Sequence, residues 1–478
     1  MKGTQLARAM VCVVVSVVFV AGAAVAADRT TPPPLSKVTP FTLPTPVSTT
    51  LKNGLVVHVI ERRRAPLVDV VINIGAGALD DADGSEGTAT ALADLLTQGA
   101  GDKDAFAFDD AVMALGARVD ASAGWQHTTV GAQALASRYE DLIAIVGDVV
   151  LRPRLDAADW KRKQNERLGE LAYYKDEPRT LSSLAAARAL FPTGRQGIAV
   201  IGTPRSVTGI SRDAIAAHHQ RFFRPDNAFV VIVGDVDAKR AIKGIEAVFG
   251  AWPQPTEALV RTAPSEPQHL TQTSVLLVDR PGAPQSVVQV VAPIPADVQS
   301  FDPAAGVMQT LLGGSFTSRL NSNLREKNQF SYGAGYAYDV VPAHRSRVST
   351  SVKTAVTIPA IREILLELGR IREPATALEV ERARAYEALT FPAVADGGSG
   401  LAQAWASWLA LGIKPAQVNA YMSAVLAVDA DAVQRAAQKL VDPERVVIVI
   451  VGDGAIENDA KNFGPVQRLT AEALLPAP

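Results

Sequence analysis

Six histidines and one cysteine account for most of the catalytic and metal chemistry open to this chain. His218 and His219 are adjacent, and on a helix adjacent side chains point about 100° apart, so the pair cannot chelate one ion from one face. Beside Phe222-Phe223 they read as packing or surface residues. His58 falls in a strand pattern, His127 near Trp125 reads as structural, His269 sits in a proline-rich stretch and His344 in a loop. Neither a Gly-x-Ser-x-Gly elbow nor a Ser-His-Asp set is found, which removes the triad hydrolases. Gly313-Gly314 is far too short to cradle a phosphate. Cys12 lies near the amino terminus, ahead of most of an apolar run, so a processed chain has no cysteine. Disulfides, thiol catalysis and cysteine-based metal sites are then excluded.

The elements that would position any remaining site are well marked. Residues 84–98 carry a strong helix signal. Ser85 or Gly84 is expected to cap it, and Glu86 suits the positive end of the dipole. Leu92, Leu95 and Leu96 form an apolar stripe, and Gly99 and Gly101 end the helix. Upstream, Asn53-Gly54 makes a turn into a strand at 56–60, and 67–74 is a second strand rich in Val and Ile. Strands are also expected at 118–122, 128–134, 228–233, 274–278 and 287–291. Helices are expected at 108–115, 138–150, 157–174, 181–191 and 211–223.

The second half repeats the first. Asp213-Ala214-Ile215 through Val233-Gly234-Asp235 matches Asp431-Ala432-Val433 through Val451-Gly452-Asp453 at an offset of 218 residues. The same offset sets Pro66 over Pro284 and the helix at 142–150 over 360–368. The chain therefore reads as a duplication of one α+β unit of about 200 residues, with a mixed sheet and helices packed on one face. Prolines 253, 255, 264 and 267 mark residues 252–272 as the linker between the copies.

Several motifs in order resemble the insulinase/pitrilysin family of zinc peptidases. They are Leu51-Lys52-Asn53-Gly54-Leu55, Gly84-Ser85-Glu86-Gly87-Thr88-Ala89, Lys175-Asp176-Glu177-Pro178 and the twice-used Val-Gly-Asp strand. Last come Leu312-Gly313-Gly314-Ser315-Phe316-Thr317-Ser318-Arg319-Leu320, Leu324-Arg325-Glu326-Lys327 and Tyr332-Gly333. The resemblance spans roughly residues 48–465. It implies two homologous domains of the LuxS/MPP-like metallopeptidase type in a bowl-shaped chain. The domains would run 48–251 and 273–465, after a signal at 1–27 and an extended arm at 28–47, with a tail at 466–478.

The family's inverted H-x-x-E-H motif is lost here. Thr90 stands at the first His, Ala93 at the Glu base and Asp94 at the second His; Glu170, 76 residues after Asp94, keeps the third ligand position. Zinc hydrolases usually keep three protein ligands and a water, so two carboxylates and a hydroxyl make a poor zinc site. Ala93 cannot take a proton. The plain reading of Asp94 and Glu170 is that of solvated or salt-bridged helix residues. The resemblance also implies that Arg325 and Tyr332 orient substrate and stabilise an oxyanion, the task their donors suit. It likens Gly313-Gly314 to a loop that presents substrate in non-catalytic subunits. The implied protein is the non-catalytic subunit of a heterodimeric zinc endopeptidase. It carries no cofactor itself, its partner is a homologous subunit that holds the zinc, and its substrate is a peptide. Two alternatives stand beside this: an inert scaffold or binding protein of the same fold, and a divergent metallopeptidase using Asp94 and Glu170.

Composition narrows the setting. Hydrophobic residues make up 48% and charged residues 20% of 478, as in a globular protein. A net charge of −2 gives no footprint for nucleic acid or anionic membrane. Lys2 and Arg8, the apolar run from Met10 to Val20 and Ala24-Val25-Ala26 form a secretory signal, which implies a periplasmic or secreted protein without a stable membrane anchor. An uncleaved anchor over 9–27 is the alternative.

Overall fold

Two six-stranded sheets repeat one strand order. The computed structural model describes residue 38 and residues 41–476; the expected signal, Cys12 and most of the expected arm lie outside the described residues. The first sheet holds β1 (Val47–Thr50), β2 (Val56–Glu61), β3 (Leu67–Ile74), β4 (Arg118–Ala123), β5 (Thr128–Leu135) and β6 (Ala228–Gly234). The second holds β7 (Ser274–Asp279), β8 (Gln285–Pro293), β9 (Ser331–Asp339), β10 (Arg345–Lys353), β11 (Val447–Gly452) and β12 (Val466–Leu469). Their orders are β1-β2-β6-β3-β5-β4 and β12-β7-β11-β8-β10-β9. β2 runs parallel to β6 as β7 does to β11, and β3 and β8 lie antiparallel on the other side. Val230–Val233 and Ile448–Val451 therefore hold the same place in their sheets. The chain is two homologous α+β domains.

Only the outer edges differ. β1 returns antiparallel to β2 through the Asn53-Gly54 turn, whereas β12 adds in parallel to β7. Residues 466–478, expected as a tail, thus include a strand of the second sheet. Leu474 and Leu475 are buried beyond it. The described part of the arm is also seated. Leu43 is buried, and its N–H donates to Asn419 Oδ1 at 2.8 Å.

Five helices frame the candidate sites and join the domains: α1 (Thr88–Leu96), α2 (Tyr139–Leu151), α3 (Ala157–Tyr174), α4 (Pro178–Leu190) and α5 (Gly398–Ala410). One face of the first sheet packs Val70, Ile72, Val230 and Ile232 against Leu92, Leu95 and Leu96 of α1 and Leu142 and Val146 of α2. Val71, Val231 and Val233 point the other way. They meet Leu401, Ala402, Trp405 and Ala406 of α5, which belongs to the other domain. The exchange is mutual. Leu181, Ala185, Ala186 and Leu190 of α4 cover Val278, Val291, Val447 and Val449 of the second sheet. α4 and α5 begin at Pro178 and Gly398, within two residues of equivalent points at the 218-residue offset. A strand with apolar side chains on both faces must be covered twice, and each domain's own helices cover one face only.

Residues 252–272 carry no strand or helix. Arg261 ties them to the first domain through Asp80 Oδ2 at 3.1 Å and the Gln126 carbonyl at 2.7 Å.

The exchange makes each domain dependent on the other. Trp405→Ala, which empties a fully buried site between α5 and the first sheet, is expected to cost about 3–5 kcal/mol. Chemical denaturation should show one transition for both domains, and two separated transitions would contradict the interlock.

Candidate functional site

The helix at 84–98 starts later than its sequence suggests. α1 begins at Thr88, after Gly87 at φ +100°. Any Cβ on Gly87 would stand 2.4 Å from the Ile201 carbonyl, so glycine alone fits this close turn. Neither Ser85 nor Gly84 caps the helix. Asp81 does, accepting from the N–H groups of Gly87 and Ala89, both at 2.8 Å. Glu86 turns back to Arg195 at 3.0 Å. Asp81 is buried 4.0 Å from His218 Nδ1. Burial pushes its carboxyl up to about 7 against the pull of the two backbone donors. Burial likewise pushes His218 down to about 4.

Thr90, Ala93 and Asp94 lie along α1 where it faces α3. The buried residues of α3 are Trp160, Gln164, Arg167 and Leu171, a 4-3-4 spacing that turns one stripe inward. Trp160 and Gln164 anchor the stripe to the carbonyls of Ile210 (2.9 Å) and Val207 (2.8 Å). The third member is an arginine only 4% exposed. Its guanidinium donates to the Gly87 carbonyl at 2.9 Å and to Thr90 Oγ1 at 2.5 Å, and it ion-pairs with Asp94. Glu170, three residues on, lies about 60° round the helix. It is exposed and accepts the Tyr174 hydroxyl at 2.8 Å.

A permanent cation thus occupies the junction of α1 and α3. Thr90 and Asp94, two of the three positions the resemblance assigns to zinc, are spent on Arg167, and Glu170 is exposed and bonded to Tyr174. A divalent ion beside a buried guanidinium would add charge repulsion without enough ligands, so these residues do not fit zinc. Among the described residues, no group of three or more His, Cys, Asp or Glu is placed to hold a metal. Ala93 is buried and carries no proton acceptor. Arg167 went unnoticed in the sequence, although a charge at an inward position of the α3 stripe was a readable signal.

The second candidate site lies where α4 leaves part of the second sheet uncovered. A cleft of about 1080 Å³ is bounded by Glu177, Arg179 and Ser183 on one side, β8 and β10 below, and Arg325 and Tyr332 beyond. Arg325 and Tyr332 therefore line one cavity, while Thr90, Ala93, Asp94 and Glu170 do not line it. Tyr332 owes its 99% exposure to a register break between Ser331 and Ala334 of the edge strand β9. Such bulges re-aim side chains. Ser331 Oγ holds this one, 2.7 Å from Thr350 Oγ1 and accepting the Gly333 N–H at 3.0 Å. Arg325 lies over the Phe316 ring, 4.0 Å from its centre, and 3.4 Å from Glu326.

The glycine pair needs correcting. Thr310–Gly314 is a π-helical turn, not a loop. Gly313 is buried, and a Cβ there would lie 2.3 Å from the Tyr336 backbone nitrogen. Gly313 therefore serves close packing of helix on strand and cannot touch substrate. Gly314 is exposed beside it.

Similarities to known proteins fall along the same chain. A family model described as Insulinase (Peptidase family M16) matches residues 56–203, and one described as Peptidase M16 inactive domain matches residues 209–386. An uncharacterized zinc protease of Mycobacterium leprae is 27% identical over 297 residues, covering 61% of this chain and 65% of that protein. The match thus spans just under two thirds of the relative. The M16 inactive domain from Pseudomonas fluorescens has a TM-score of 0.78 at 20% identity, over 85% of this chain and 98% of that one. The periplasmic protease PqqL from Escherichia coli has a TM-score of 0.71 at 15% identity, over 91% of this chain but 50% of that one. The first half of PqqL, solved separately, is covered over 97%. At such identities the likeness of the structures is one of fold.

Arg167→Ala leaves the half-exposed Asp94 without its cation and Thr90 Oγ1 without its donor, and it is expected to cost about 1–3 kcal/mol, with added zinc restoring none of it. Thermal melts with and without zinc measure this, and recovery of stability by the metal would contradict the assignment. Asp81→Ala should cost about 1–2 kcal/mol through loss of the α1 cap, read in the same melts.

Proposed function

This chain belongs to the insulinase (M16) family of peptidases, and we propose that it is a zinc-free subunit of a two-chain peptidase, handling peptides for a homologous partner that carries the metal. One observation carries the reading. Arg167 binds Thr90 and Asp94, at the position the resemblance assigns to zinc, whereas Arg325 and Tyr332 line an open cleft. Hydrolysis of a peptide places negative charge on the former carbonyl oxygen. Donors already in position stabilise that charge. Arg325 and Tyr332 supply a guanidinium and a phenol for the task, and the exposure of Tyr332 leaves its hydroxyl free to reach a substrate in a partner's site.

The expected secretory signal and the likeness to a periplasmic protease support a periplasmic location. No helix among the described residues is long and apolar enough to cross a membrane. That this chain matches half of PqqL supports a working unit of two such halves. The scaffold reading draws on the existing partners of Arg325, Phe316 and Glu326, which a purely structural arginine would also have.

The test mixes the chain with a homologous subunit that bears H-x-x-E-H. Assembly is checked by size exclusion and turnover by a quenched fluorescent peptide. Tyr332→Phe is expected to assemble normally and lose on the order of 10²-fold in turnover. Arg325→Ala is expected to lose more, since it also removes a cation that can hold the peptide backbone. Normal assembly with unchanged turnover in both variants would give the scaffold reading the lead.

A further inference from the structure

The floor of the cleft is a strip of one sheet face. On β10, Arg347, Ser349, Ser351 and Lys353 line the cleft; of the alternate residues, Ser346 and Val348 are buried behind them, while Thr350 and Val352, also largely buried, still border it. β8 continues the strip, with Gln285 opposite Lys353 and Gln289 opposite Ser349. This is the face that α4 covers further along the sheet. There the side chains are valine and leucine; here, Val287 apart, they are hydroxyls, amides and cations.

The charge is one-sided. Arg179, Arg325, Arg347 and Lys353 line the cleft against the single carboxylate of Glu177. Arg347 has only Asp339, at 3.9 Å, and Arg325 only its neighbour Glu326. Neither Arg179 nor Lys353 has an ion-pair partner among the described residues. The excess stands out because the whole chain carries a net charge of −2. Arg347 and Lys353 are six residues apart on one strand, about 20 Å. A folded domain does not enter a trough of this size, but an extended peptide of about six to eight residues spans it.

We propose that this cleft selects peptides by negative charge, holding an extended segment with Asp or Glu side chains against Arg347 at one end and Lys353 at the other. The polar strip between them offers hydrogen bonds to the backbone and makes no demand on intervening side chains. Specificity comes from the spaced charges, and cations gathered in a low-dielectric trough steer an acidic chain toward it. The inference builds on the peptide-handling role proposed for the chain, but its readout is binding to this chain alone.

The experiment measures fluorescence anisotropy of three end-blocked peptides of about twelve residues. They are identical except for Glu, Gln or Lys at two positions six apart. The Glu peptide is expected to bind at least about tenfold tighter than the Lys peptide near 0.05 M salt, with the gap closing near 0.5 M. The double variant Arg347→Glu, Lys353→Glu is expected to reverse the order, so that the Lys peptide now binds tighter. The reversal is itself a control for folding. Lys239→Glu, on the exposed face of Ala238–Phe249, should change nothing. Equal binding of all three peptides, or an unchanged preference in the double variant, overturns the proposal. So does binding of inorganic polyphosphate as tight as that of the Glu peptide and equally sensitive to the double variant, which would mark a general anion surface. Charge-selective binding alongside unchanged turnover in the Arg325 and Tyr332 variants would leave this inference standing and remove the catalytic-subunit reading.

Discussion

Two strands with apolar side chains on both faces set the architecture. β6 and β11 bury every side chain from Val230 to Val233 and from Ile448 to Val451. Each lies inside a sheet whose own helices cover one side. Leaving the other side open would expose several valines and isoleucines, each worth roughly 1.5–3 kcal/mol on burial. The duplication supplies the cover. The helix that follows α3 in the first copy lies on the second sheet, and its equivalent in the second copy lies on the first. The two halves are therefore parts of one cooperative unit.

The exchange also creates the cleft. α4 covers β7, β8 and β11 but not the outer part of the sheet, so the exposed faces of β10 and the end of β8 become the floor of a trough. The start of α4, with Glu177 and Arg179, is its wall. Composition follows geometry. Under α4 the face is valine and leucine, and beyond it the same face turns to Gln, Ser, Arg and Lys. The rim residue Tyr332 is turned outward by a bulge that one serine hydroxyl stabilises. The cavity thus belongs to neither domain alone.

At the junction of α1 and α3, a guanidinium does what a metal would do mechanically and none of what it would do chemically. It bridges two helices by bonding Gly87, Thr90 and Asp94 at once. Unlike zinc, it offers no open coordination position and cannot lower the pKa of a water. It is also permanently charged and arrives with the chain, so the junction forms without a ligand. The alanine at 93 and the arginine at 167 are consistent with each other, since a general base has no use beside a site without an activated water.

Much of this protein is determined locally. The period-2 and period-3.6 patterns placed β3, α3 and β6 with their observed limits or within a residue of them, and the 218-residue offset announced the repeat and the matching strand order. The residues Thr90, Ala93 and Asp94, with a hydroxyl, a carboxylate and no imidazole among them, could be read directly from the sequence. Contacts between distant residues were not. Asp81 rather than Ser85 caps α1 because the chain folds back from a loop, and capping rules see only the adjacent residues. Gly313 reads like a loop glycine until Tyr336 is packed against it. β12 looked like a tail because four residues gain strand structure only from pairing with β7. Arg167 as the partner of Thr90 and Asp94, the crossing of α4 and α5, and the cationic strip opposite them were decided by tertiary structure. Each depends on which faces meet, and a face becomes visible only when its partner is in place.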